Sequence, residues 1–145
     1  LTRQGVPMLN AKSAQQRREG TLKGAYVLIQ ESGALETILI ASGSEVQHAV
    51  AAAGQLGAGT RVVSMPCMER FDRQPESYRS EVLPSACTKR VAIEAGVSGL
   101  WWKYVGTSGE VIGIDQFGLS APGNTAMKEL GMTADNVVSA VQGLS

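Results

Sequence analysis

Between Ala25 and Ile114 the chain alternates short, continuous apolar runs with stretches that are polar on one side only. Tyr26-Val27-Leu28-Ile29, Thr37-Ile38-Leu39-Ile40-Ala41, Arg61-Val62-Val63-Ser64-Met65, Arg90-Val91-Ala92-Ile93 and Val111-Ile112-Gly113-Ile114 each read as a strand. Most have no alternating polar face, which is the pattern of strands covered on both sides of a sheet. After the second run, Val46, Ala49, Val50, Ala53 and Leu56 recur at helical spacing, and Gly57 and Gly59 stop the repeat. Ser42 and Glu45 have the spacing of a capping box, in which the hydroxyl meets an orphan backbone N–H at the helix start. Pro75 opens a second helix with Tyr78, Val82 and Leu83 on one side, and Pro84 ends it. A third, short helix holds Leu100, Trp101 and Tyr104. The last begins near Thr133 and buries Val137, Val138, Val141 and Leu144.

Strands that alternate with helices predict a three-layer α/β/α sandwich around a mostly parallel sheet. Only residues 30–36 separate the first two strands, too few for a parallel crossover, so the first is antiparallel. A bare hairpin would make these two strands neighbours, and the residues alone leave the order open. Ahead of them, residues 5–24 read as a connector: Gly5, Pro7, Gly20 and Gly24 surround a Gln- and Arg-rich stretch of weak periodicity.

Composition narrows the function classes. A chain of 145 residues is one domain by length and buries about 70% of its unfolded surface without staples. Apolar residues make up 43% and charged residues 18%, with a formal charge of zero, so net charge gives no support for nucleic-acid or membrane-surface binding. The charge is uneven: Arg3, Lys12, Arg17, Arg18 and Lys23 stand against Glu19 alone in residues 1–25. That basic leader reads as a solvated linker lying on acidic surface rather than as an anion site. Cys67 and Cys87 form neither a metal pattern nor a disulfide framework and read as reduced packing residues of a cytoplasmic protein. No apolar run reaches the ~20 residues of a membrane span. The chain starts with Leu1 rather than Met and shows no signal-peptide layout, which fits a fragment or a processed chain.

Candidate chemistry is sparse. The Ser42-Gly43-Ser44 turn could hold an anion at a helix start, but the dinucleotide glycine fingerprint is missing and Glu45 would repel phosphate, so a structural start is favoured. Gly106-Thr107-Ser108-Gly109 reads as a turn before the fifth strand. His48 is the only histidine and falls beside Glu45, Gln47 and Gln55, an exposed or partner-facing position with no cluster for zinc. Glu94 and Asp115 follow the ends of buried strands, where ligands gather in open α/β sheets; capping of backbone N–H groups is the favoured reading for both. Trp101, Trp102, Tyr104 and Phe117 carry most of the aromatic surface. Adjacent tryptophans on a helix point about 100° apart, so one of them is expected to meet another domain or subunit. Phe117-Gly118-Leu119-Ser120-Ala121-Pro122 reads as a tight turn into a helix whose start Gly123 and Asn124 make irregular.

Three blocks carry a family resemblance. Gly113-Ile114-Asp115-Gln116-Phe117-Gly118-Leu119-Ser120-Ala121-Pro122 leads to Glu129-Leu130-Gly131-Met132-Thr133 and Asn136-Val137-Val138. Ile93-Glu94-Ala95-Gly96 precedes Trp102-Lys103-Tyr104-Val105-Gly106, and Leu1-Thr2-Arg3-Gln4 opens the chain. In this order they resemble the C-terminal part of transketolases, over nearly the whole chain. The resemblance implies five strands ordered 1-3-2-4-5, with the first antiparallel. It also implies that residues 1–24 end a preceding pyrimidine-binding domain and form the interdomain linker, with residues 25–145 as the C-terminal domain. The whole enzyme would transfer a two-carbon ketol unit between sugar phosphates in the pentose phosphate pathway, using thiamine diphosphate and a divalent cation, Mg or Ca. It would work as a homodimer.

The Gly-Asp-Gly signature for the diphosphate and its metal does not occur in this sequence. The chain alone is therefore expected to bind no cofactor, to supply no catalytic residue, and to be inactive and architectural, packing on the upstream domains of the same polypeptide. The resemblance implies one substrate-binding candidate, Arg3 of the Thr2-Arg3-Gln4 segment, as a ligand for the sugar phosphate in the full-length enzyme, a task that suits a guanidinium fork able to pair two phosphate oxygens. Two alternatives stay open: the equivalent domain of a related thiamine enzyme (a deoxyxylulose-phosphate synthase or a 2-oxoacid dehydrogenase β-subunit), or a stand-alone regulatory α/β module.

Overall fold

A computed structural model describes residues 5–144. Its five strands are β1 (Tyr26–Ile29), β2 (Thr37–Ala41), β3 (Thr60–Ser64), β4 (Arg90–Ile93) and β5 (Glu110–Ile112), ordered β1-β3-β2-β4-β5. The first pairs antiparallel with β3 and every other pair is parallel. The expected sandwich and strand order are both present.

The hairpin alternative is overturned, and the reason is local. The segment after β1 crosses the start of β3 instead of turning back. Ser32 and Gly33 donate to Ala58 O, and Glu36 and Thr37 donate to Gly59 O. A Cβ at Gly59 would sit 2.9 Å from Ala34 O, so glycine permits this close crossing. Arg61 of β3 ties the crossing down: its Nε donates to Glu31 Oε2 at 2.7 Å, and the same guanidinium reaches Glu81 O and Val82 O.

Alternating residues of the inner strands feed two cores. Leu39, Ala41, Val62, Val91 and Ile93 face one layer, formed by α2 (Val46–Leu56) and α7 (Ala134–Gly143). Ile38, Ile40, Val63 and Ala92 face the other, formed by α3 (Met68–Asp72), α4 (Glu76–Val82) and α5 (Trp102–Val105) through Phe71, Val82, Trp101 and Tyr104. Continuous apolar runs were needed because both faces of each strand are buried. At about 25 cal/mol per Å² of apolar surface, these two layers are the main driving force for the fold.

Several local expectations need correction. Residues 5–24 are not only a connector, since α1 (Ala14–Lys23) forms there with a complete capping box between Ser13 and Gln16. Gly24 ends it with φ +93°, and a Cβ there would lie 2.3 Å from Phe71 N. The capping box foreseen at Ser42 and Glu45 is absent. Gly43–Glu45 instead forms a 3-10 turn, Ser42 makes no side-chain cap, and the Glu45 carboxylate turns inward to take the Ser44 hydroxyl at 2.7 Å. Helix α3 went unforeseen because five residues show no periodicity. Val138 is only half-buried, whereas Val137 and Val141 are buried. The fifth strand stops at Ile112; Gly113 is pressed against Ser98 and Gly96 O, and Ile114 N donates to Gly96 O at 2.7 Å.

The helix after Pro122, α6 (Gly123–Glu129), is regular from its first residue despite Gly123 and Asn124. Thr133 caps α7 by accepting from Asn136 N at 3.2 Å.

Candidate functional site

The carboxyl ends of the parallel strands gather the chemically distinctive residues. Ala41 of β2 lies beside Ile93 of β4, so Ser42 and Glu94 leave the sheet side by side, and β5 brings Asp115 to the same end. Asp115 does what was expected of it. Its Oδ1 accepts Ser98 N at 2.9 Å and its Oδ2 accepts the Ser98 hydroxyl at 2.7 Å, bonds that hold its carboxyl below the usual range. It thereby fastens the loop after β5 to the turn after β4.

Glu94 departs from the expectation. It caps no backbone group; Oε2 is buried with no hydrogen-bond partner. Burial, with the Glu45 carboxylate close by, pushes its pKa up to about 7. Its carboxyl lies near Gly96 of its own loop without a backbone N–H to accept from, and the neighbouring Glu45 is only 2% exposed. What Glu94 can do chemically is hold or release a proton near neutral pH. His48, one turn along α2, is half-buried; burial lowers its pKa and Glu45 opposes that. It faces the start of α7 and the end of α6 across a cavity that also includes Lys128, Met132 and Asp135.

The remaining candidates resolve simply. The Ser42-Gly43-Ser44 turn is the 3-10 helix start already described. Gly106–Gly109 is a turn into β5, and a Cβ at Gly109 would lie 2.6 Å from Arg90 O. Cys87 is buried with its thiol pushed up by that burial, and Cys67 is half-buried, so both are packing residues. Among the described residues no three His, Cys, Asp or Glu side chains converge as metal ligands, and no helix is long and apolar enough to cross a membrane. Arg3 lies outside the described residues.

The aromatic pair separates as the helical geometry demanded: Trp101 is 4% exposed and Trp102 46%. Val97 and Leu100 near Trp102 in sequence are also exposed, as are Phe117, at 98%, and Leu119 on the loop whose Asp115 is bonded to Ser98. Single exposed apolar residues are ordinary, but five of them on two loops joined by a side-chain bond suit an interaction surface. Sequence reasoning missed the ion pair between buried Arg61 and half-buried Glu31. An arginine inside the run Thr60–Ser64 was its one signal, and its partner lies thirty positions away.

Comparison with known proteins agrees with this geometry. Residues 24–133 match the family described as the transketolase-like TK C-terminal domain. Transketolase of Dictyostelium discoideum is 59% identical over 139 residues, which span 96% of this chain and 21% of that protein. The Geobacillus stearothermophilus transketolase is 51% identical over 99% of this chain and 22% of its own length. Among solved structures, transketolase from Leishmania mexicana superposes with a TM-score of 0.80 at 42% identity, covering 87% of this chain and 18% of that one. The chain thus spans about a fifth of the length of these relatives. On sequence, fold and strand order together, it belongs to the transketolase family as the C-terminal domain.

Proposed function

We propose that this domain completes a full-length transketolase, a transferase that moves a two-carbon ketol unit from a ketose phosphate to an aldose phosphate in the pentose phosphate pathway of the cytoplasm. Its own part is architectural. The observation that carries this reading is the exposed apolar cluster of Val97, Leu100, Trp102, Phe117 and Leu119, on loops fastened together by Asp115. Such a surface suits packing on the upstream domains of the same polypeptide and support of a homodimer.

The residues of this chain do not fit thiamine diphosphate and its divalent cation. No carboxylate set converges for the metal among the described residues, and the Gly-Asp-Gly signature does not occur. The cofactor is therefore assigned to the upstream domains, and no reaction step is routed through this chain. The trio of transketolase blocks favours this enzyme over other thiamine enzymes and over a free-standing module.

Two measurements test the reading. Purified chain is expected to show no ketol transfer between sugar phosphates, with transfer restored only in the full-length protein; turnover by the chain alone would refute the architectural role. Arg3 is proposed as a ligand of the substrate phosphate. In the full-length protein Arg3→Ala is expected to raise KM for phosphorylated sugars about tenfold or more, the value of one charge-assisted contact. An unchanged KM removes that assignment.

A further inference from the structure

At the other end of β4 from Glu94, a cavity of about 230 Å3 opens between α3, α4 and α5. Three cations line it, Arg79, Arg90 and Lys103, together with the Ser80 hydroxyl and the carboxylates of Asp72 and Glu76. Asp72 is already engaged: it takes Lys103 Nζ at 2.7 Å and the Tyr104 hydroxyl at 3.1 Å. Arg90 is held entirely by main chain. Its guanidinium donates to the carbonyls of Cys87, Tyr104, Pro84 and Leu83 at 2.7 to 3.3 Å and meets no carboxylate. A guanidinium has five N–H groups, so one remains.

Arg79 is the more unusual of the two. Its Nε is buried without a hydrogen-bond partner, and it makes no ion pair among the described residues. The buried Nε itself is out of reach of solvent, but Arg79 lines the cavity and its guanidinium has no hydrogen bond or carboxylate partner among the described residues, so its outer Nη groups are left for an anion. The balance of charge agrees. Once Asp72 is assigned to Lys103, two guanidinium groups stand against Glu76 alone.

We propose that this cavity binds a phosphate group, gripped by Arg79 and supported by the free N–H of Arg90, the Ser80 hydroxyl and Lys103 at the rim. The guanidinium fork matches two oxygens of such an anion. The cavity is smaller than the ~300 Å3 at which sites for drug-sized ligands begin, so it suits free phosphate or the phosphate end of a small monoester. The site is independent of the transketolase reading, since it uses neither Arg3 nor the apolar cluster.

The test is titration of the chain with inorganic phosphate, followed by calorimetry and 31P line width, against chloride at matched ionic strength. Saturable phosphate binding is expected, and Arg79→Ala should weaken it about tenfold or more. Arg79→Lys should recover part of the loss, because it restores the charge without the fork. A parallel titration with glycerol 1-phosphate separates the two sources: equal or tighter binding identifies a monoester, weaker binding the free ion. Phosphate binding no different from chloride, preference for succinate over phosphate, or undiminished affinity in Arg79→Ala would each overturn the proposal. Should Arg79→Ala fail to fold, Arg79→Gln decides instead, because it keeps most of the length of the side chain and removes the charge; an unchanged phosphate affinity there refutes the site.

Discussion

Glu94 follows the buried strand β4 and Asp115 follows the edge strand β5, both at the carboxyl ends of parallel strands, and their environments drive them apart. Asp115 sits in solvent with two hydrogen bonds to Ser98, which favour its charged form. Glu94 has one oxygen buried and unpaired beside a second carboxylate, both of which favour its neutral form. The folded pKa of Glu94 is about 7 against 4.5 for an ordinary glutamate, so between those pH values the folded state holds the proton that the unfolded chain releases. Stability from this group is complete at lower pH and is lost as pH rises through about 7. Glu94→Gln should flatten that part of the pH profile. The variant should gain on the order of 1–2 kcal/mol over wild type at pH 8 relative to pH 5, allowing for solvent screening of a partly exposed carboxyl. Urea unfolding at the two pH values checks this; an unaltered pH difference would mean that Glu94 is ionised throughout.

The elements show how local chemistry and tertiary contact share the work. Helix α1 carries almost no apolar stripe, and its capping box supplies its start: Ser13 accepts Gln16 N, and the Gln16 side chain accepts Ser13 N. Ser13→Ala should cost about 1 kcal/mol and speed amide exchange across residues 14–23 while leaving the sheet protected. Exchange unchanged in that helix would show that packing on β1 alone holds it. Its far end is set by Gly24, whose left-handed backbone and close approach to Phe71 admit no side chain. The order of β1 and β2 was decided in the same way, by contacts from other parts of the chain. The carbonyls of Ala58 and Gly59 and the Arg61–Glu31 pair pull the connecting segment across β3. Nothing within residues 30–36 announces those partners. The family resemblance supplied the correct strand order where the spacing of these strands could not.

For the whole molecule, the telling feature is the exposed apolar residues on the two loops that Asp115 joins to Ser98. Trp102 and Phe117 contribute little to the fold itself. Replacing both with serine should leave the stability of the chain within about 0.5 kcal/mol per site. In the full-length protein the same double variant should loosen domain or subunit packing, seen as a shift toward smaller species in sedimentation and a fall in ketol transfer. Unchanged assembly would place the contact elsewhere. The candidate site residues were only partly legible. Strand ends located Glu94 and Asp115, but whether each carboxylate finds a partner depends on loops that meet only in the folded chain.

The class of fold and the family can be read along the chain: continuous apolar runs demand strands covered on both faces, helical spacing marks α2 and α7, and the Gly113–Pro122 block marks a transketolase C-terminal domain. The inward turn of Glu45, the unpaired oxygen of Glu94, the pairing of buried Arg61 with Glu31 and the unpartnered Arg79 emerge only from the folded chain. The physical reason is range. Periodicity and capping are written within a few residues, whereas the burial and pairing of a charge depend on groups brought together from distant parts of the chain.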